Sequence, residues 1–377
     1  MELSVLQIIW FALLAVLWIG YLTLEGFGFG TGMLLKILPK NEKERRLALN
    51  TIGPHWDGNE VFLLTAGGAT FAAFPEWYAT MFSGMYMALI AILIFLIIRI
   101  SALEWRGKIN SPGWRRLWDN LHIAVAWLVT VVWGVAFGNL VQGTEIQVGH
   151  YAERGGQFVP ADMTNVDAAL AAGDQHFLTG GFVSLFTPFT IVAGVVFVLL
   201  FLTHGALWLA IKTKGDFHNR AVALAKKLSL ASTGLTAVWA IWGQFAYRGQ
   251  TWGLIPLALA AVALIASTGA IQKGKDVSSF AFSFVGLALA VVWVFSTFGA
   301  NAMKSSIDPA YDLTLIQASA TAPTQSVMLI AAVIFVPIVL GYTAWSYKSF
   351  AGRIGVDNIS DKPAGLDPKK VREFASM

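Results

Sequence analysis

The chain has 377 residues, of which 56% are hydrophobic and 13% charged, and its formal net charge is +4. Soluble globular domains carry roughly 25% charged residues, so a single soluble domain, a coiled coil, a disordered chain and a nucleic-acid module are all excluded. Cysteine is absent, which removes disulfides, thiolate metal sites, iron–sulfur clusters, c-type haem attachment and cysteine nucleophiles together.

Length and apolarity point to an all-α polytopic membrane protein. A spanning helix needs about 20 apolar residues. Nine stretches qualify: roughly 3–37, 53–74, 76–99, 118–140, 182–211, 224–247, 251–271, 278–300 and 325–347. The first is expected to remain as a span, because it has neither the basic start nor the cleavage site of a signal peptide.

The basic residues alternate between the turns. Lys36, Lys40, Lys43, Arg45 and Arg46 follow the first stretch, and Arg99, Arg106, Lys108, Arg115 and Arg116 follow the third. Lys212, Lys214, Arg220, Lys226 and Lys227 follow the fifth, and Lys273 and Lys275 the seventh. The tail adds Lys348, Arg353, Lys362, Lys369, Lys370 and Arg372, leaving only Arg154, Arg248 and Lys304 on the other side. By the positive-inside rule the N-terminus is expected outside and the C-terminus in the cytoplasm. The basic residues therefore mark topology and anionic lipid headgroups, and no single basic face exists for a nucleic acid.

The segment 141–181 holds Glu145, Glu153, Asp162, Asp167 and Asp174 against one arginine, and is expected outside the membrane as a solvated connector, with a cap on a partner subunit as the second reading. It divides the chain into a first four-helix bundle at 1–140 and a second at 182–300. An outer loop with a peripheral ninth helix (301–350) and a cytoplasmic tail (351–377) complete the expected organisation.

Ionisable residues inside spans are costly and mark functional sites by default. Glu25 comes late in a helix running inward; Asp57 and Glu60 come early in one running outward; Asp119 and His122 open the fourth stretch; His204 ends the fifth. All lie toward the basic side, as in a half-channel that admits protons from one surface. Two readings of Asp57 stand at this point. It follows Pro54 in Pro54-His55-Trp56-Asp57-Gly58-Asn59-Glu60, where an acid also serves the helix macrodipole. Glu60 shares its face one turn deeper. Asp119 and His122 are expected to be a solvated pair beside the headgroups, and His204 a satisfied polar residue near a helix end. Glu25 precedes Gly26, Gly28, Gly30 and Gly32, whose two overlapping GxxxG spacings predict close helix contact, so its carboxylate should face protein and not lipid. The six histidines offer no facing pair for axial haem ligation near mid-membrane, and no haem is expected in this chain.

Gly53-Pro54-His55-Trp56-Asp57-Gly58-Asn59-Glu60-Val61, with Thr65-Ala66-Gly67-Gly68-Ala69 and Phe71-Ala72-Ala73-Phe74-Pro75 behind it, resembles subunit II of the cytochrome bd-type quinol oxidases. So do Glu25-Gly26-Phe27, Glu44-Arg45-Arg46, Trp114-Arg115, Gly134-Val135-Ala136-Phe137-Gly138-Asn139-Leu140, Pro337-Ile338-Val339-Leu340, Tyr342-Thr343-Ala344-Trp345 and Gly352-Arg353-Ile354, in order along the chain. The resemblance implies a bacterial cytoplasmic-membrane protein in a heterodimer. Its larger partner, subunit I, carries two b-type haems, one d-type haem and the quinol-oxidising loop, and reduces dioxygen to water. Subunit II binds no haem, stabilises the partner and contributes to proton and oxygen access. It can hold a quinone as a structural lipid, and a small single-span accessory subunit stays open. Carried over, Asp57, Glu25 and Glu60 are expected on the proton pathway, His55, Trp56 and Asn59 in support of the motif, and Phe62 at a point of oxygen access. The family often shows Asp-Gly-Phe-Asp where this chain has Glu25-Gly26-Phe27-Gly28, so the first acid is longer and the second is missing. Phe62 stands where a tryptophan is frequent. A secondary transporter with a polar half-channel is the alternative from another class, and a purely scaffolding subunit is a third reading.

Overall fold

The computed structural model describes residues 3–152, 156–247, 249–361 and 365–368. Glu153, Arg154, Arg248, Lys362, Lys369, Lys370 and Arg372 lie outside the described residues.

Helix α1 (Val5–Leu34) opens on a capping box, in which Ser4 Oγ accepts from the Gln7 amide and the Gln7 side chain accepts from the Ser4 amide. Its second half, from Tyr21 on, is almost wholly buried. The amphipathic α2 (Glu42–Ile52) follows, capped by Asn41, and then α3 (Trp56–Ala73). Pro75 ends α3 at Phe74 and starts α4 (Pro75–Gly84), which leads into α5 (Tyr86–Trp105). Helix α6 (Pro112–Gln142) begins on a proline and ends at Gly143, whose φ of +95° only glycine adopts easily.

After the short α7 (Val166–Ala171) and α8 (Gly181–Ser184) come α9 (Pro188–Lys212), α10 (Gly215–Ala246), α11 (Leu254–Gln272) and α12 (Asp276–Ser296), then the short α13 (Leu315–Ala318) and finally α14 (Ala322–Ser349). Among the described residues seven helices are long and apolar enough to cross a membrane: α1, α5, α6, α9, α11 with its leading turn, α12 and α14. The expected stretches 53–74 and 224–247 coincide with α3 and the second half of α10, which carry more small polar residues and fall short of that apolarity.

Helices α1 and α9 form the seam of the molecule. Helix α1 packs on α3, α6, α9 and α12, while α9 packs on α6, α10 and α12 as well. The crossing is tight because glycines meet there: a Cβ built on Gly30 would stand 1.9 Å from the Phe201 carbonyl oxygen, and one on Gly205 would stand 2.5 Å from the Gly30 carbonyl carbon. Helix α14 lies on the outside with Gln325 as its one buried residue. Gln325 Nε2 donates to the Ala73 carbonyl at 3.1 Å, and the Tyr347 hydroxyl donates to Asn59 Oδ1 at 2.8 Å, so both ends of α14 are tied to α3.

Three expectations need correction. The chain is mostly helical but not all-α, because the segment 141–181 folds. Strands β1 (Ile146–Tyr151), β2 (Phe158–Pro160) and β3 (Gln175–Leu178) form an antiparallel sheet in the order β2-β1-β3. A hairpin of β4 (Asn301–Met303) and β5 (Leu313–Thr314) lies against it: Ser305 Oγ donates to the Ile146 carbonyl at 2.7 Å and the Tyr311 hydroxyl to the Ala161 carbonyl at 2.7 Å. The two loops are one cap and not a connector, because Val148, Val166 and Tyr311 bury together. The second correction is Arg99. It belongs to no turn; α5 continues to Trp105, and Arg99 is fully buried within it. The third concerns Asp119 and His122, which are both buried and not paired with each other.

At the end opposite the cap, the basic turns meet the tail. Lys43 pairs with Asp361, Lys214 with Asp357 at 3.0 Å and Arg353 with Asp276 at 2.6 Å. Main-chain bonds add Lys214 to Ile354 at 3.0 Å and Asn110 to Leu366 at 2.9 Å. The tail thus straps the basic ends of both halves.

Candidate functional site

The buried arginine organises the site. Arg99 Nη2 pairs with Glu25 Oε1 on α1, and Arg99 Nη1 pairs with Glu60 Oε1 on α3 at 2.5 Å. The Arg99 and Glu25 side chains are fully buried, and that of Glu60 is 13% exposed. The guanidinium carbon lies 4.6 Å above the Phe29 ring, which adds a cation–π contact. Glycine at position 28 makes the room, since a Cβ there would stand 2.8 Å from Glu25 Oε1 and 3.0 Å from Arg99 Nη2.

The His55–Glu60 stretch holds α3 in register with its neighbours. The His55 ring stacks on Tyr347 with centroids 4.1 Å apart and planes 4° apart. Asn59 Nδ2 donates to the Leu24 carbonyl at 3.0 Å, one residue before Glu25, and so fixes the height of Glu60 against Glu25. Trp56 is half-buried at the start of α3. Phe62 is buried with its ring in a notch over Gly20, where a Cβ would meet the ring at 2.4 Å.

The site therefore brings Glu25 and Glu60 together and leaves Asp57 apart. Asp57 is exposed on the first turn of α3, three residues before Glu60. Arg99 is the residue that sequence reasoning missed. The signal was its setting in Ile97-Ile98-Arg99-Ile100, with Ala102 and Leu103 following after a single serine and no second basic residue until Arg106.

Nearer the basic end, Asp119 is gripped by Arg106 through two bonds of 2.5 and 3.1 Å, and Arg106 also reaches Glu42 at 2.9 Å. Arg45 approaches Asp119 at 4.0 Å. These arginines, and not solvent, satisfy the carboxylate. Glu44, at the same end, is held below the ordinary carboxylate range: desolvation pushes it up, but hydrogen bonds from Arg220 and from the Lys40 amide outweigh that. His204 of α9 reaches between α12 and α1, with Nδ1 2.9 Å from Ser283 Oγ and Nε2 3.1 Å from the Thr23 carbonyl.

A metal or haem finds little here. Among the described residues no group of three histidines, aspartates or glutamates can hold a metal ion. His204 uses both ring nitrogens on protein partners, and His55 is stacked against α14.

Fold and site together define a multi-pass membrane protein that carries a charged cluster in its interior, with a second buried group of ionisable residues nearer one end. The family model for cytochrome bd terminal oxidase subunit II matches residues 6–350. The chain is 38% identical over 354 residues to the cytochrome bd ubiquinol oxidase subunit 2 of Bacillus subtilis, covering 92% of this chain and 96% of that one. It is 33% identical over 393 residues to the cytochrome bd-I ubiquinol oxidase subunit 2 of Escherichia coli, covering 95% and 97%. A solved structure, the bd oxidase from Geobacillus thermodenitrificans, shares the fold with a TM-score of 0.68 at 14% identity, over 92% of this chain and 99% of that one. The chain belongs to the cytochrome bd terminal oxidase subunit II family, and is a multi-pass protein of the bacterial cytoplasmic membrane.

Proposed function

We propose that this chain is the non-haem subunit of a bd-type quinol:dioxygen oxidoreductase, and that its Glu25–Arg99–Glu60 cluster passes cytoplasmic protons toward the haem-bearing partner. The observation that carries the reading is the sharing of one guanidinium by two carboxylates on different helices. Two carboxylates and one arginine balance only with one proton bound, since an uncompensated buried charge is costly. Such a cluster accepts a proton from one side and yields it to the other without changing its own composition.

The haems of subunit I supply the redox chemistry, with quinol as reductant. In this chain Asp57 lies at the surface of α3 and collects protons, Glu60 relays them, and Arg99 holds both acids in place. The basic end faces the cytoplasm and the N-terminus lies outside, in keeping with the distribution of lysine and arginine. The helices before and after the cap form two four-helix bundles, with α14 peripheral. An apolar cleft of about 560 Å³ lined by Trp18, Leu64, Phe71, Tyr78, Leu89 and Trp133 has room for a quinone or lipid tail. Phe62, which precedes Leu63 of that cleft in α3, is the residue assigned to oxygen access in this reading. Family membership displaces the transporter alternative.

The test is Asp57→Asn and Glu60→Gln in the purified complex with subunit I. Oxygen consumption falls at unchanged haem content, and haem d absorbance of the complex verifies assembly. Normal turnover in both variants would exclude the proton role.

A further inference from the structure

The glycines of α1 divide between two faces. Gly26 and Gly30, one turn apart, face α9: a Cβ on Gly26 would stand 2.8 Å from the Phe201 ring, and Gly30 meets the α9 backbone. Gly28 and Gly32, also one turn apart, face polar side chains. Gly28 makes room for the Glu25–Arg99 pair, and a Cβ on Gly32 would stand 2.7 Å from His122 Nε2. Residues four apart lie on the same face of a helix and rise by about 6 Å. The imidazole therefore sits one turn closer to the basic end than the ion pair, along a single glycine-lined track.

His122 is 2% exposed, and neither ring nitrogen has a hydrogen-bond partner. The Arg99 backbone carbonyl stands beside it outside hydrogen-bond geometry. Glu25 Oε2 is likewise buried without a partner. Buried polar atoms are seldom left this way without a functional reason or a bridging water. Three residues before His122 on the same face of α6, Asp119 is locked to Arg106, and Arg106 reaches Glu42, whose side chain is 35% exposed. The charged groups that act on the imidazole are Arg99 from α5 and Arg106 just beyond α5, with Asp119 one turn earlier on α6 and Glu25 across from Gly28 on α1.

We propose that His122 carries protons from the Glu42–Arg106–Asp119 network to Glu25, giving the Glu25–Arg99–Glu60 site a second cytoplasmic entrance separate from the exposed Asp57 on α3. This rests on the reading that the Glu25 site delivers protons. In the transfer a neutral imidazole takes a proton at one ring nitrogen from the solvent side. It releases the proton from the other nitrogen, through one water, to the Glu25 carboxylate, and returns to the neutral form. No electron moves, and the charge gained by Glu25 is the charge lost by the imidazole.

The experiment uses the complex assembled with subunit I and compares Asp57→Asn, His122→Gln, the double variant and Glu25→Gln. Oxygen consumption, haem content and the solvent isotope effect in deuterium oxide are measured. Each single variant at 57 or 122 is expected to lose about 2–5-fold in rate, and the double variant about 10-fold or more, down to the level of Glu25→Gln, with a raised isotope effect. A double variant that keeps the rate of Asp57→Asn, while Glu25→Gln is inactive, overturns the His122 route and leaves the Glu25 reading intact. If Glu25→Gln keeps the wild-type rate, the Glu25 reading falls and the route with it. If His122→Gln lowers haem content, Gly32→Ala replaces it: its methyl group displaces the ring without removing it. It is expected to give the same loss in the Asp57→Asn background, and an unchanged rate there overturns the proposal.

Discussion

Gly30 of α1 and Gly205 of α9 touch backbone to backbone, and this contact sets how closely the two halves of the chain approach. Alanine is a better helix former than glycine by about 1 kcal/mol, so Gly30→Ala would stabilise an uncrowded helix. Here its methyl group would stand 1.9 Å from the Phe201 carbonyl oxygen, which cannot rotate away. Gly30→Ala is expected to lower the thermal midpoint of the purified complex, with a cost of about 1–3 kcal/mol from overpacking. Gly26→Ala meets the Phe201 ring and not its backbone, so its loss should be smaller. Equal midpoints for both variants would contradict the crossing.

Arg99 is the counter-ion of two acids, and the three should fail together in a particular order. Removing one partner of a buried ion pair costs about 3–5 kcal/mol because the charge left behind is uncompensated. Arg99→Leu is expected to reduce the yield of haem-loaded complex. Adding Glu25→Leu and Glu60→Gln removes the stranded charges and should restore assembly without restoring oxygen consumption. Yield and turnover, measured on the same preparations, separate the structural part of the cluster from its proton chemistry.

Most of the helical layout was legible in the sequence, because apolar runs and alternating basic turns report on the bilayer directly. Arg99 was not, since a lysine or arginine count treats every basic residue as solvent-seeking. Its apolar setting hints at burial, and the acids on α1 and α3 show what compensates it. Asp119 failed for the mirror reason: its partners Arg106 and Arg45 come from other segments, so its position beside the basic turn reads as solvation. The stripe at Gly26–Gly32 did predict close contact for α1, but not that alternate glycines serve different faces. The cap was invisible because its strands are short and its core, with Val148, Val166 and Tyr311, joins two distant loops.

The tail should loosen in acid. The hydrogen bond from Lys214 holds Asp357 below the ordinary carboxylate range, and the one from Lys43 does the same for Asp361. A carboxylate with a depressed folded-state pKa contributes stability above its unfolded value, about 3.9. That contribution is lost as pH falls through the lower folded value. Both acids are fully exposed, so the effect is local and screened by salt. Hydrogen exchange of residues 351–361, corrected for intrinsic rates, is expected to be steady from pH 7 to about 5 and to accelerate below about pH 4. Asp357→Asn with Asp361→Asn should show the faster exchange already at neutral pH.

Phe62 and Gly20 supply the final expectation. The ring lies in the notch that the missing Cβ leaves, with 2.4 Å between the ring and the position such a Cβ would take. A larger indole at 62 must push α1 away or leave the notch, and overpacking of this kind costs about 1–3 kcal/mol. Phe62→Trp and Gly20→Ala should therefore each lower the thermal midpoint. Gly20→Ala combined with Phe62→Leu should recover part of the loss, because the shorter side chain vacates the space that the methyl group takes. A packing role changes the midpoint and leaves the KM for dioxygen alone. Phe62→Leu leaves a cavity and lowers the midpoint in either case, so a changed KM for dioxygen in that variant is what shows that the ring also governs oxygen access.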